Sequence, residues 1–106
     1  MRDVLGDERG EVFLSVASLW EMAIKYHLGR LELGGPLESW LGQAIRDANI
    51  ETLDIASRHV YATDRLPDHH QDPFDRLLIA QAGREHMILV THDKQILRYD
   101  VQTLST

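Results

Sequence analysis

Acidic side chains stand at several points where the local pattern predicts a helix start or a strand end. They are Glu21 in Ser-Leu-Trp-Glu, Asp72 and Asp75 in Asp-Pro-Phe-Asp-Arg-Leu-Leu-Ile-Ala, and Asp93 in Val-Thr-His-Asp. Because Glu21 and Asp93 follow predicted strands, both are expected at the edge where parallel sheets bind ligands. Hard oxygen ligands clustered there suit Mg²⁺ or Mn²⁺. Such a metal can activate water and stabilise the charge on a reacting phosphodiester.

Glu21 also has a purely structural interpretation. Ser18 and Glu21 have the spacing of a capping box, in which the glutamate bonds back to the start of its own helix. From spacing alone, capping is favoured over catalysis by about two to one. Trp20 is expected to be core or half-buried, and Lys25, one turn beyond Glu21, is expected to form an ordinary helix ion pair.

The other acids have structural interpretations too. Asp72 before Pro73 is a good N-cap with proline at the first helical position, and this is the preferred interpretation of Asp72. Asp75 is then the third helical residue, where the helix dipole favours a negative charge and keeps the carboxylate ionised, as a metal ligand requires. Asp93 could cap a short helix that begins at Lys94. Spacing does not separate these roles from metal binding.

Composition limits the class of protein. The chain of 106 residues is predicted to form one domain, residues 1–106, and its 43% of hydrophobic residues is enough for a core. The absence of cysteine excludes disulfides and thiolate zinc sites and fits a reducing cytoplasm. No apolar run is long enough to cross a membrane. A net charge of −6 disfavours a non-specific nucleic-acid binder but not a nuclease, whose metal site concentrates carboxylates.

Predicted elements alternate along the chain. Strands are predicted at 11–16, 50–55, 87–91 and 101–104, and helices at 18–28, 37–48, 56–64, 73–84 and 94–99. This order predicts βαβ units, and therefore an α/β domain with a parallel sheet flanked by helices.

Other polar residues give weaker signals. The six histidines form no His-x3-His or His-Glu-x-x-His metal motif and are expected mostly at the surface. Arg76 is expected at the surface or at the rim of the site, where it could contact phosphate. The absence of a P-loop and of Gly-x-Ser-x-Gly removes support for nucleotide-binding and serine-hydrolase functions.

Three segments together resemble the PIN-domain ribonucleases, and within them the VapC toxins of toxin–antitoxin pairs. They are residues 12–25 with 29–33, residues 70–82, and residues 89–93 followed by Tyr99, and they occur in the family's order. The resemblance implies an endoribonuclease that depends on Mg²⁺ or Mn²⁺, cuts structured RNA such as tRNA or rRNA, and is silenced by an antitoxin protein. It places the family's second, third and fourth acids on Glu21, Asp75 and Asp93, which would bind the metal and form the catalytic site.

The sequence departs from the family at its beginning. Family members start with a central strand that ends in a catalytic aspartate, and nothing before Val12 fits that strand. Asp3 and Asp7 lie in a polar stretch that resembles the tail of the family's first helix. We therefore expect an N-terminally truncated PIN-like domain without its first, central strand. Dimerisation, strand exchange or direct closure of the gap would then satisfy the exposed backbone groups.

Two other functions stay open at this point. A catalytically inactive PIN fragment could act only as an antitoxin-binding interaction protein, which the missing aspartate favours. A phosphatase-like metal enzyme is a third option, without a visible nucleophile motif. The apolar helix residues Leu37, Trp40, Leu41 and Ile45 exceed what a gapped domain can bury, so a homodimer or an antitoxin complex is expected.

Overall fold

The chain forms one sheet with helices packed against it. The computed structural model describes residues 4–68, 72–91 and 103–105. Its elements are β1 (Val4–Gly6), β2 (Val12–Ser15), α1 (Val16–His27), α2 (Leu37–Asp47), β3 (Glu51–Leu53), α3 (Ser57–Thr63), α4 (Pro73–Glu85), β4 (Ile88–Thr91) and β5 (Thr103–Ser105). The predicted α/β architecture is confirmed. The helix predicted at 94–99 lies outside the described residues.

The centre of the sheet is occupied by β1. The strand order is β3-β2-β1-β4-β5. Leu5 pairs with Phe13 of β2 on one side and with Leu89 of β4 on the other, and both pairings are antiparallel. The expected gap in mid-sheet, and the expected helix tail before Val12, are therefore wrong. The sheet is mixed rather than parallel, because β1 runs antiparallel to the other four strands, which are parallel to one another.

A tight turn makes this arrangement possible. The carboxylate of Asp7 accepts hydrogen bonds from the backbone N–H groups of Arg9 (3.0 Å) and Glu11 (2.9 Å). Gly10 has a φ of 86°, which a residue without Cβ adopts at little cost. The polar stretch that looked like a helix tail is thus the connection of a β-hairpin.

Side chains alternate between the two faces of the sheet. On one face, Leu5 and Leu89 pack against Leu78, Ile79 and Ala82 of α4. The other face has a second cluster.

In this second cluster Leu14 of β2 packs with Leu41 and Ile45 of α2. These two α2 residues are buried within the domain, so they are covered better than expected, and the expected homodimer or antitoxin complex stays a prediction. Trp40 remains exposed on the same helix.

Leu5→Ala tests whether the N-terminal strand is part of the core. Leu5 is completely buried, so its truncation should lower the free energy of unfolding by about 2–5 kcal/mol. Leu28→Ala is the matched control, because Leu28 is 56% exposed and should change stability by less than about 0.5 kcal/mol. Urea denaturation measures both. Equal, small effects would mean that residues 4–6 do not pack at the centre of the sheet.

Candidate metal centre

Asp75 lies in the first turn of α4. The Asp72 carboxylate caps this helix by accepting hydrogen bonds from the N–H groups of Phe74 (2.9 Å) and Asp75 (3.3 Å). Pro73 follows as the first helical residue, so the predicted cap is confirmed. Asp75 is only 3% exposed. The helix dipole favours a negative charge at this position.

Glu21 lies inside α1 and does not cap it. The helix begins at Val16, and the hydroxyl of Ser15 caps it by accepting a hydrogen bond from the N–H of Ala17 (3.0 Å). Ser18 is buried within the helix, so the expected capping box is wrong. Glu21 is in the second turn, 19% exposed, with Oε2 3.9 Å from Nζ of Lys25. The predicted ion pair is confirmed, and capping no longer explains the glutamate.

A ring contact joins the two helices that carry these acids. The rings of Trp20 and Phe74 meet edge to face with their centroids 5.1 Å apart. Each ring immediately precedes one of the two acids in the sequence. The contact therefore brings the N-terminal halves of α1 and α4 together. Trp20 itself is 58% exposed and does not belong to the core, contrary to the expectation.

The third predicted ligand, Asp93, lies outside the described residues. Both β2 and β4 run antiparallel to β1, so they end at the same edge of the sheet. The described part of β4 ends at Thr91, two residues before Asp93 in the sequence. Within the described ranges, no three histidine or acidic side chains are grouped closely enough to hold a metal ion. The structure locates Glu21 and Asp75 and leaves the complete three-acid site a prediction.

Comparison with known proteins decides the family. The family model described as PIN domain matches residues 1–102. The chain belongs to the PIN-domain family. It is also 34% identical over 58 residues to Ribonuclease VapC16 of Mycobacterium tuberculosis (strain ATCC 25618 / H37Rv), an alignment that covers 55% of this chain and 41% of that protein. No solved structure gives a match. None of the helices in the described part of this PIN domain is long and apolar enough to cross a membrane.

Arg76 fixes the segment that leads into α4 and the candidate metal centre of this PIN domain. Its Nη2 donates to the carbonyl of Thr63 (2.7 Å), and its Nη1 donates to the carbonyl of Pro67 (3.1 Å). Nη1 also lies 3.7 Å from Oδ1 of Asp68. Arg76 thus ties the end of α3 and the following loop to the first turn of α4. Its side chain is 18% exposed, as expected for a residue at the rim, and the phosphate contact stays a prediction.

A buried polar chain links the end of β2 to α4. The hydroxyl of Ser15 donates to Oε1 of Gln81 at 2.6 Å. The Nε2 of Gln81 donates to the carbonyl of Asp54 (3.2 Å) and lies 3.4 Å from Nδ1 of His59. Ser15, Gln81 and His59 are completely buried. Because Ser15 also caps α1, this chain holds the start of that helix against α4.

His59 extends the chain to an ion pair at the far end of α4. Its Nδ1 accepts from the N–H of Ala56 (2.9 Å), so Nε2 carries a proton and donates to Oε2 of Glu85 (2.9 Å). The hydrogen bond from His59 and the adjacent Arg58 guanidinium lower the pKa of Glu85, against an opposing effect of burial. The expected surface position of the histidines is wrong for His59. Its partners are distant in sequence, so no local signal marks it.

Gln81→Leu tests the contribution of the buried chain. The substitution leaves the buried polar groups of Ser15 and His59, and the carbonyl of Asp54, without the glutamine, so the free energy of unfolding should fall by about 1–3 kcal/mol. Gln43→Leu is the matched control on the exposed face of α2 and should have an effect below about 0.5 kcal/mol. Thermal and urea unfolding report the difference. A Gln81 variant as stable as the Gln43 variant would show that the chain contributes nothing to stability.

Proposed function

We propose that this PIN domain is a metal-dependent endoribonuclease, the toxin of a toxin–antitoxin pair. The observation that carries the proposal is the buried carboxylate of Asp75 in the first turn of α4, beside the helix that carries Glu21. The ribonuclease named among its relatives supports the reaction class. The interaction-only alternative rests on the missing first aspartate, and the match to a ribonuclease favours the nuclease over it.

The described acids fit a hard divalent cation. Asp75 and Glu21 both offer carboxylate oxygens, the donors that Mg²⁺ and Mn²⁺ prefer, and Asp93 is the proposed third ligand. When bound, the cation would supply Lewis-acid stabilisation of the phosphodiester and activation of water. The protein's part is to hold the carboxylates in place. The cap of Asp72 fixes the turn that carries Asp75, and the buried serine–glutamine bond fixes the helix that carries Glu21.

We propose structured RNA, such as tRNA or rRNA, as the substrate, on the strength of the family resemblance.

The partner we propose is an antitoxin segment with apolar side chains. An apolar groove of about 600 Å³ between α1, α2 and β3 supports this partner. Its lining includes Leu19, Leu37, Leu41, Ile45 and Ile50. A homodimer is a second assembly that we propose, with Trp40 as an exposed apolar residue available for the contact.

Asp75→Asn tests the nuclease proposal. Cleavage of RNA in the presence of Mg²⁺ should fall by at least about a hundredfold, because the substitution removes a ligand charge that stabilises the transition state. Chelation with EDTA should abolish cleavage by the unmodified protein. Gel analysis of total cellular RNA provides the readout.

Asp72→Asn is the matched control for this experiment. It makes the same chemical change three residues away, and asparagine caps helices as well as aspartate does. This variant should keep most of the activity. Cleavage that survives EDTA, or that is equally strong in the Asp75 variant, would contradict the proposal.

A further inference from the structure

A basic surface with an exposed tyrosine lies on α3 and the end of α4. Arg58, Tyr61 and Arg65 are spaced three and four residues apart, so they share one side of α3 and of the turn that follows it. Arg84 of α4 faces them across a depression of about 170 Å³. We propose that this α3–α4 surface binds the backbone and a base of an unpaired, single-stranded segment of the RNA substrate, next to the segment that is cut. The inference rests on the proposed nuclease function and names where its substrate lies.

Charge is the first argument for RNA. The chain has a net charge of −6 and only 11 lysines and arginines, yet three arginines converge here. Arg58 is paired with Glu85 at 2.9 Å. Within the described ranges, Arg65 and Arg84 form no ion pair, and both are exposed. Guanidinium groups of this kind bind phosphate by paired, charge-assisted hydrogen bonds.

Tyr61 is the second argument. Its side chain is 74% exposed, the highest value among the large hydrophobic residues of the described chain. It lies between the arginines on the same side of α3. An exposed aromatic ring beside cationic groups is the combination that proteins use for single strands, because every base can stack on the ring while the cations bind the backbone. A purely apolar ligand would not use the arginines.

The position of the surface relative to the metal centre is the third argument. Arg76, the residue after Asp75, bonds the carbonyl of Thr63 and so ties the end of α3 to the first turn of α4. Arg58 and Glu85 join the other ends of the same helices. Between Asp75 and Arg84, α4 rises by roughly 14 Å at 1.5 Å per residue. The surface thus lies a few nucleotides from Asp75, and because residues nine apart project from opposite sides of a helix, a strand that contacts both Asp75 and Arg84 must pass around α4.

Equilibrium binding separates this surface from the cleavage reaction. The probe is a labelled single-stranded RNA of about 12 nucleotides. It is titrated in EDTA by fluorescence anisotropy at several salt concentrations. Changing both Arg65 and Arg84 to glutamine should weaken binding at least tenfold. It should also make the plot of the logarithm of the association constant against the logarithm of the salt concentration less steep by about 1.4, because each phosphate contact on a single strand contributes about 0.7. Tyr61→Ala should weaken binding about fivefold or more with little change in slope.

Arg46→Gln is the matched control, since Arg46 is exposed on α2, the helix of the other face of the sheet. It should leave affinity almost unchanged and lower the slope by less than about 0.3. Equal affinities and slopes for the unmodified protein and the double variant, or no RNA binding at all, would overturn the inference. Binding that changes as expected without any cleavage in Mg²⁺ would uphold the surface and reject the nuclease proposal. Cleavage in Mg²⁺ by the unmodified protein, with RNA binding unchanged in the double variant, would uphold the nuclease proposal and reject the surface.

Discussion

The backbone pairing of β1 is the constraint on which the rest of the structure depends. Three residues satisfy the facing edges of β2 and β4, whose N–H and C=O groups would otherwise be buried without partners. Both strands lead directly to the candidate metal centre, since β2 passes into α1 without a loop and β4 ends two residues before Asp93. The antiparallel direction of β1 matters less than its presence, because the hydrogen bonds and the burial of Leu5 are what hold the two halves of the sheet together.

In both α4 and α1, one residue caps the helix and a different residue nearby is the proposed metal ligand. In α4, Asp72 satisfies the free N–H groups, which leaves Asp75 in the field of the helix dipole without having to cap the helix. In α1, Ser15 does the capping and also bonds Gln81, so Glu21 is released from any role in starting the helix. Buried polar groups of this kind stay in place only when all are satisfied, and no buried side-chain polar atom in the described part of the chain lacks a partner.

Local signals explain which parts of this structure the sequence could predict. The start of α4 was predictable because Asp-Pro acts within a few residues. The start of α1 was misplaced because Ser15 and Ser18 are both plausible caps, and packing against α4 selects the first. The strand at Val4–Gly6 is too short to show an alternation of apolar and polar residues. It forms because it pairs with a strand on each side. His59 could not be identified as buried, since the groups that satisfy it are contributed by another helix.

Direct measurement of metal binding tests the central claim that Asp75 belongs to a metal site rather than only to a helix terminus. Calorimetric titration with Mn²⁺ on the unmodified protein should show saturable binding. Asp75→Asn should weaken that binding by at least about tenfold, because a ligand charge is lost. Asp72→Asn, which keeps the cap, should bind within about twofold of the unmodified protein. Equal Mn²⁺ affinity in all three proteins, or no binding to any, would contradict the claim and leave Asp75 with a structural role alone.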